Sequence, residues 1–289
     1  MFTIESHLLK ATLHPKGAEL QSLVQKETGI EYMWKGDPAV WGKHSPVLFP
    51  IVGALKDNTY VFNGELYNLP RHGFARDNQF AVESQDFDRI IFLLKQNEAS
   101  LKAFPFNFDF RIGYTVLDNS IAVTYEIVNT GKETMYCSVG GHPAFALPIV
   151  ADNVYDDYYL EFEQEENAGR WPIADGGLLK TSSIPFLNDT KVLPLNKALF
   201  ATDALVFKHL NSSAVSLRSH QSEHGLKMEF PGFPYLGIWA APGADFLCIE
   251  PWCGIADSID SMQLLEEKEG INKLEAGAKF TRSWTVTVF

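Results

Sequence analysis

Cysteine is scarce. Three occur in 289 residues, Cys137, Cys248 and Cys253, and no two are spaced as Cys-x-x-Cys. That excludes a disulfide framework, a zinc knuckle and a thioredoxin-like redox pair. Positive charge is also short: 24 Lys and Arg stand against 36 Asp and Glu, a net charge of -12. Such a chain lacks the cationic face that holds nucleic acid, and anionic membrane surfaces repel it. The same sign disfavours a highly anionic substrate unless a local basic pocket overrides it. No run approaches 18 apolar residues, so no membrane helix is expected. The start MFTIESHLLK lacks a basic segment followed by an apolar one, so we expect no signal peptide and a cytoplasmic protein with reduced thiols. Also missing are a glycine-rich phosphate loop, a Gly-x-Ser-x-Gly elbow, His-Glu-x-x-His and any repeat of fixed period.

What is there is apolar and aromatic. Hydrophobic residues make up 46% and charged residues 21%, an ordinary globular balance. The 21 Phe, 10 Tyr and 6 Trp favour strands. Arg89–Lys95 is a short apolar run bounded by charge. Arg111–Leu117 and Ile121–Val128 flank the polar turn Asp118-Asn119-Ser120 and read as a hairpin, and Phe280–Phe289 reads as a closing strand. Helical signal is confined to Ala99–Phe104 and Asp260–Gly270. Glycine and proline are spread evenly and no linker divides the chain. The sequence therefore predicts an all-β fold: one large antiparallel β-sandwich spanning residues 1–289, with one or two short helices.

A few polar residues sit in unusual company. His142 lies in Gly140-Gly141-His142-Pro143; the glycines permit close backbone approach and Pro143 favours an extended histidine. The competing reading is a core histidine bonded to a carbonyl. His72 lies in Arg71-His72-Gly73-Phe74-Ala75-Arg76, a local basic patch suited to hydroxyl or carboxylate oxygens, or else a solvated turn with surface ion pairs. Glu250 ends the apolar run Phe246–Ile249 before Pro251 and Trp252. Partial desolvation there would raise its pKa and make it a better base, unless it simply reaches water at the strand end. Asp203 separates two apolar runs and either binds a ligand hydroxyl or caps a turn. His220 and His224 have a metal-like spacing in a polar loop context. His72, His142 and Glu250 would make a conceivable two-His-one-carboxylate set, though nothing local singles it out.

Taken in order, His72-Gly73-Phe74-Ala75-Arg76, Gly141-His142-Pro143, Asp203 and Glu250-Pro251-Trp252 resemble the aldose 1-epimerase (galactose mutarotase-like) family, in a divergent bacterial branch. The closing stretch Gly270–Phe289 is similar too, so the likeness spans nearly the whole chain. The resemblance implies a supersandwich fold and interconversion of the α and β anomers of a hexose, with neither metal nor organic cofactor. It implies Glu250 as general base and His142 as general acid, with His72, Arg76 and Asp203 binding the sugar. A bell-shaped pH profile follows, with Glu250 ionising on the acid limb and His142 losing its proton on the alkaline limb. The expected partner is a small-molecule sugar, with neither nucleic acid nor membrane. The family's Asn or Arg near the first prolines has no matched counterpart in Gly42–Pro50. Trp239, Trp252, Phe74 and Phe145 are candidate surfaces for stacking a sugar. Two rivals remain: a hexose-6-phosphate mutarotase recruiting Arg71, Arg76, Lys43 and Lys56, and a non-catalytic carbohydrate-binding protein.

Overall fold

The computed structural model describes residues 1–289. The largest sheet has nine antiparallel strands, in the order Ile184–Pro194, Tyr158–Arg170, Ala214–Ser219, Leu226–Glu229, Lys279–Val288, Ser120–Asn129, Phe108–Leu117, Arg89–Lys95 and Ala81–Gln85. Its central strands show why they form. In Phe108–Leu117 the buried residues are Phe108, Phe110, Ile112, Tyr114 and Val116; in Ser120–Asn129 they are Ile121, Val123, Tyr125, Ile127 and Asn129. Strict alternation of this kind buries one face of a pleated strand and leaves the other to solvent. The turn between them is one residue shorter than the sequence suggested, because Ser120 already pairs with Leu117.

The second sheet runs Leu205–Lys208, Tyr235–Trp239, Phe246–Cys253, Val139–Gly141 and Val47–Leu48, and Ala144–Ala146 also pairs with Phe246–Cys253. The two sheets lie face to face. Phe49 stacks on Phe110 at 4.4 Å between ring centres, and the Trp284 indole N–H donates to the Tyr125 hydroxyl at 2.9 Å directly behind Gly141. A three-stranded sheet, Phe2–Glu5, Leu9–His14 and Glu19–Gln25, is tied to the large sheet by the Tyr114 hydroxyl, which donates to the Ala18 carbonyl at 2.7 Å.

The one α-helix is Glu98–Ala103, capped by reciprocal bonds between Asn97 and Ser100. The helix expected within Asp260–Gly270 is not formed; that stretch holds only the 3-10 turn Leu265–Glu267. Gln263 is in the left-handed region (φ +63°) with its amide donating to Thr59 and Lys56, and Lys268 points inward to Asp257. These tertiary contacts override the local helical signal. No helix is long and apolar enough to cross a membrane.

Two features place the site. The strand Phe246–Cys253 is buried along its whole length. The tip of the hairpin Tyr158–Arg170/Ile184–Pro194 folds over the second sheet, where the backbone N–H of Trp171 donates to Val206 and that of Leu179 to Asp257.

Candidate active site

Alternation along Phe246–Cys253 puts Phe246, Cys248, Glu250 and Trp252 on one face. Glu250 therefore stands mid-strand rather than at a strand end, since the strand continues through Pro251 and Trp252, paired with Leu236 and Tyr235. Its residue is 1% exposed. Burial pushes its carboxyl well above the usual carboxylate range, and nearby Asp203 adds to the rise. The Trp252 indole N–H moderates it from close by without a well-formed hydrogen bond.

His142 occupies the corner between Val139–Gly141 and Ala144–Ala146, and its Nε2 lies 3.3 Å from Glu250 Oε2. The imidazole is stacked on Trp41 (ring centres 5.1 Å apart) and meets Trp239 edge-on at 5.6 Å. Burial lowers its pKa to about 3, with the charge of Arg76 contributing. Both groups are thus driven toward their neutral forms. The pair is better described as a carboxyl and an imidazole holding one proton than as a salt bridge.

His72 has φ +67° and is followed by Gly73 at φ +68°. A Cβ on Gly73 would lie 2.3 Å from the Phe49 carbonyl oxygen, so only glycine fits beneath this turn. Gly53 N–H donates to His72 Nδ1 at 3.1 Å, which leaves the ring proton on Nε2. Burial, then the neighbouring His142 and Arg76, hold this imidazole well below its ordinary pKa, so it is a neutral donor. Arg76, in the 3-10 turn Ala75–Asp77, donates from Nη2 to the Arg71 carbonyl at 2.9 Å, and its buried Nε makes no hydrogen bond but lies 3.7 Å from Asp77 Oδ2. Asp203 follows the 3-10 turn Lys197–Phe200, and one of its oxygens accepts from Ala204 N–H at 2.7 Å.

Glu250, His142, His72, Arg76 and Asp203 line one cleft of about 510 Å³. Trp239 and Trp252 are in its wall as expected, but Phe74 and Phe145 are not. Phe74 belongs to an aromatic cluster with Phe49, Phe104 and Phe108, and Phe145 is a core residue. Trp41, in the turn just ahead of Gly42–Pro50, was missed. Its only sequence signal is a tryptophan in a Pro- and Gly-flanked loop. Of the four cations considered for a phosphate, Arg71 and Arg76 line the cleft. Lys43 instead pairs with Asp77 at 3.2 Å, and Lys56 reaches the Ser261 carbonyl.

Gly140 and Gly141 serve packing rather than ligand approach. A Cβ on Gly140 would lie 2.7 Å from the Trp252 ring, and one on Gly141 would lie 2.9 Å from the Tyr125 hydroxyl. Gly237, on the strand across from Glu250, bears the other end of the same indole, which a Cβ would meet at 2.5 Å. Trp252 therefore lies flat across two glycines. Behind the wall formed by Gly53, Ala54, Ile255 and Ala256 is a buried ion pair. Lys268 Nζ is 2.7 Å from both Asp257 Oδ1 and the Ile255 carbonyl, and Asp257 Oδ2 accepts from Lys56 N–H at 3.0 Å.

Residues 1–268 match the family model for aldose 1-epimerase. The LacX protein of Lactococcus lactis subsp. lactis, in plasmid and chromosomal forms, is 32% identical over 99% of this chain and 98% of its own length. A galactose mutarotase related enzyme from Lactobacillus acidophilus superposes with a TM-score of 0.95 at 37% identity, covering 100% of this chain and 97% of that one. A galactose mutarotase-like protein from Lactobacillus casei superposes with a TM-score of 0.93 at 31% identity, covering 100% of both chains.

Proposed function

Because the chain belongs to the aldose 1-epimerase family, we propose that its cleft interconverts the α and β anomers of a hexose by opening and reclosing the ring. The observation that carries this reading is the Glu250–His142 pair, 3.3 Å apart and buried at one cleft between tryptophan walls. Ring opening needs a base at the C1 hydroxyl and an acid at the ring oxygen. The pair's one proton first passes from Glu250 to His142, 3.3 Å away; the Glu250 carboxylate then takes the C1 proton, the bond from C1 to the ring oxygen breaks, and His142 gives its proton to that oxygen. Rotation about C1–C2 and reversal of both transfers yield the other anomer. The pair holds one proton throughout. Ring opening returns it to carboxylic acid and neutral imidazole, the arrangement that burial favours. The sugar's polar edge is bound by His72 Nε2–H, Arg76 and Asp203, and its apolar face by Trp41, Trp239 or Trp252. Anomer exchange measured by NMR on glucose, galactose and their 6-phosphates tests the reading, which fails if none is accelerated. A 6-phosphate is the second reading, because Arg71 lines the cleft with no carboxylate partner.

The proton count also sets the pH profile, and it reverses the limbs expected from sequence. A second proton enters only as His142 protonates, at about 3. The single proton is lost only above the raised Glu250 pKa. Activity is therefore expected not to fall as pH drops through the ordinary histidine range near 6.5. An acid limb centred there would contradict the one-proton pair.

Arg76→Ala is expected to raise KM by roughly 10- to 100-fold, with a smaller change in kcat. It removes a charged donor worth about 1.5–3 kcal/mol that acts on bound sugar and transition state alike. Unchanged KM with a collapsed kcat would assign Arg76 to the chemical step.

A further inference from the structure

We propose that His142, Cys248 and Glu250 form an inhibitory site for a thiophilic divalent cation of the zinc class. Cys248 and Glu250 are two residues apart on one strand and so share a face, and His142 packs over that face from the neighbouring corner. One ligand atom from each lies within 4.8 Å of the other two, and all three residues are buried. Glu250 Oε2 has no hydrogen-bond donor although the residue is 1% exposed, and Cys248 is a free thiol. His72, the third ligand conceivable from sequence, is already committed through Nδ1 to Gly53 N–H, and Cys248 stands in the place it would have filled.

The donor set selects the ion. Nitrogen, sulfur and oxygen donors suit a tetrahedral zinc-type cation, whereas calcium and magnesium call for all-oxygen shells. The charges balance as well. Binding releases the Cys248 thiol proton and the Glu250 carboxyl proton, so one thiolate, one carboxylate and a dication form a neutral unit, and no net charge is buried. Water from the cleft completes the fourth position. An ion held there occupies the very lone pairs that exchange protons with the sugar. The inhibition rests on the proposed roles of Glu250 and His142; the binding does not.

The test titrates Zn²⁺ and Co²⁺ into the wild-type chain and Cys248→Ser, with Cys248→Ala as a second variant should serine disturb the fold. We expect one Co²⁺ per chain with a thiolate-to-cobalt charge-transfer band that both variants lack. We also expect Zn²⁺ to inhibit anomer exchange reversibly, with EDTA restoring the rate and saturating sugar opposing the metal. The variants should keep basal exchange and lose zinc sensitivity by at least the ~10- to 100-fold that loss of an outer-shell partner costs. A charge-transfer band that persists in both variants, no stoichiometric binding, or equal zinc inhibition of all three proteins would overturn the proposal. Cobalt binding without any anomer exchange would uphold the site and sink the catalytic reading instead.

Discussion

Glu250→Gln is expected to slow anomer exchange by about 10²–10⁴-fold while sugar binding survives. Glutamine keeps the shape of the buried neutral carboxyl but can neither take nor return a proton. The same substitution should not weaken the fold, and the sign can be worked out. A carboxyl whose folded pKa is raised stays protonated in the folded chain while the unfolded chain ionises from about 4.5 upward, so its contribution to stability falls as pH rises through that range. Glutamine removes this loss, and the melting temperature at pH 7 should hold or rise. An inactive variant that is no less stable than wild type marks a residue kept for chemistry at a cost to the fold. His142→Asn should slow exchange comparably. If both residues serve one proton's path, as proposed, the double variant should be little slower than the slower single one. Near-wild-type exchange in Glu250→Gln would make the chain a sugar-binding protein on a mutarotase-like scaffold.

Lys268→Met is expected to destabilise the fold by about 3–5 kcal/mol, because it strands the Asp257 carboxylate without its partner. Lys268 and Asp257 side chains are each only 3% exposed. Burial lowers the lysine's pKa, and Asp257 opposes the fall. Pairing Lys268→Met with Asp257→Leu should recover most of the stability, since apolar residues often replace a buried ion pair at little cost. It should not recover sugar affinity in full. Asp257 also holds Lys56 N–H, and its own N–H binds Ala54, so the pair fixes the Gly53–Ala54 wall against which His72 is oriented. Urea unfolding and KM for Lys268→Met and the double variant separate the two roles. A loss below about 1 kcal/mol in Lys268→Met would mean the ammonium is replaceable.

Much of this was legible in the amino-acid order because it is local or periodic. The alternation in Arg111–Leu117 and Ile121–Val128 marks half-buried strands, and the ordered motifs from His72 to Glu250 mark the residues that meet in one cleft. The remainder depends on tertiary contacts that no local pattern carries. Gln263 breaks the Asp260–Gly270 helix through bonds to residues some 200 positions away. Trp41 becomes a cleft wall only because its loop lies over His142. Glu250 looked terminal because Pro251 looked like a stop, yet Phe246–Cys253 runs straight through it. The pKa directions of Glu250 and His142 likewise follow from their burial, which no local pattern carries.

The indole of Trp252 lies flat only because positions 140 and 237 present hydrogen where any other residue presents carbon. Two missing methyl groups thus set the depth of the cleft above Glu250. A single added methyl at either position would push the indole toward the cleft and make the floor shallower, with no change to Glu250 or His142. The cleft's depth and the Glu250–His142 pair are set by different positions, so a lineage could reshape the one while leaving the other intact.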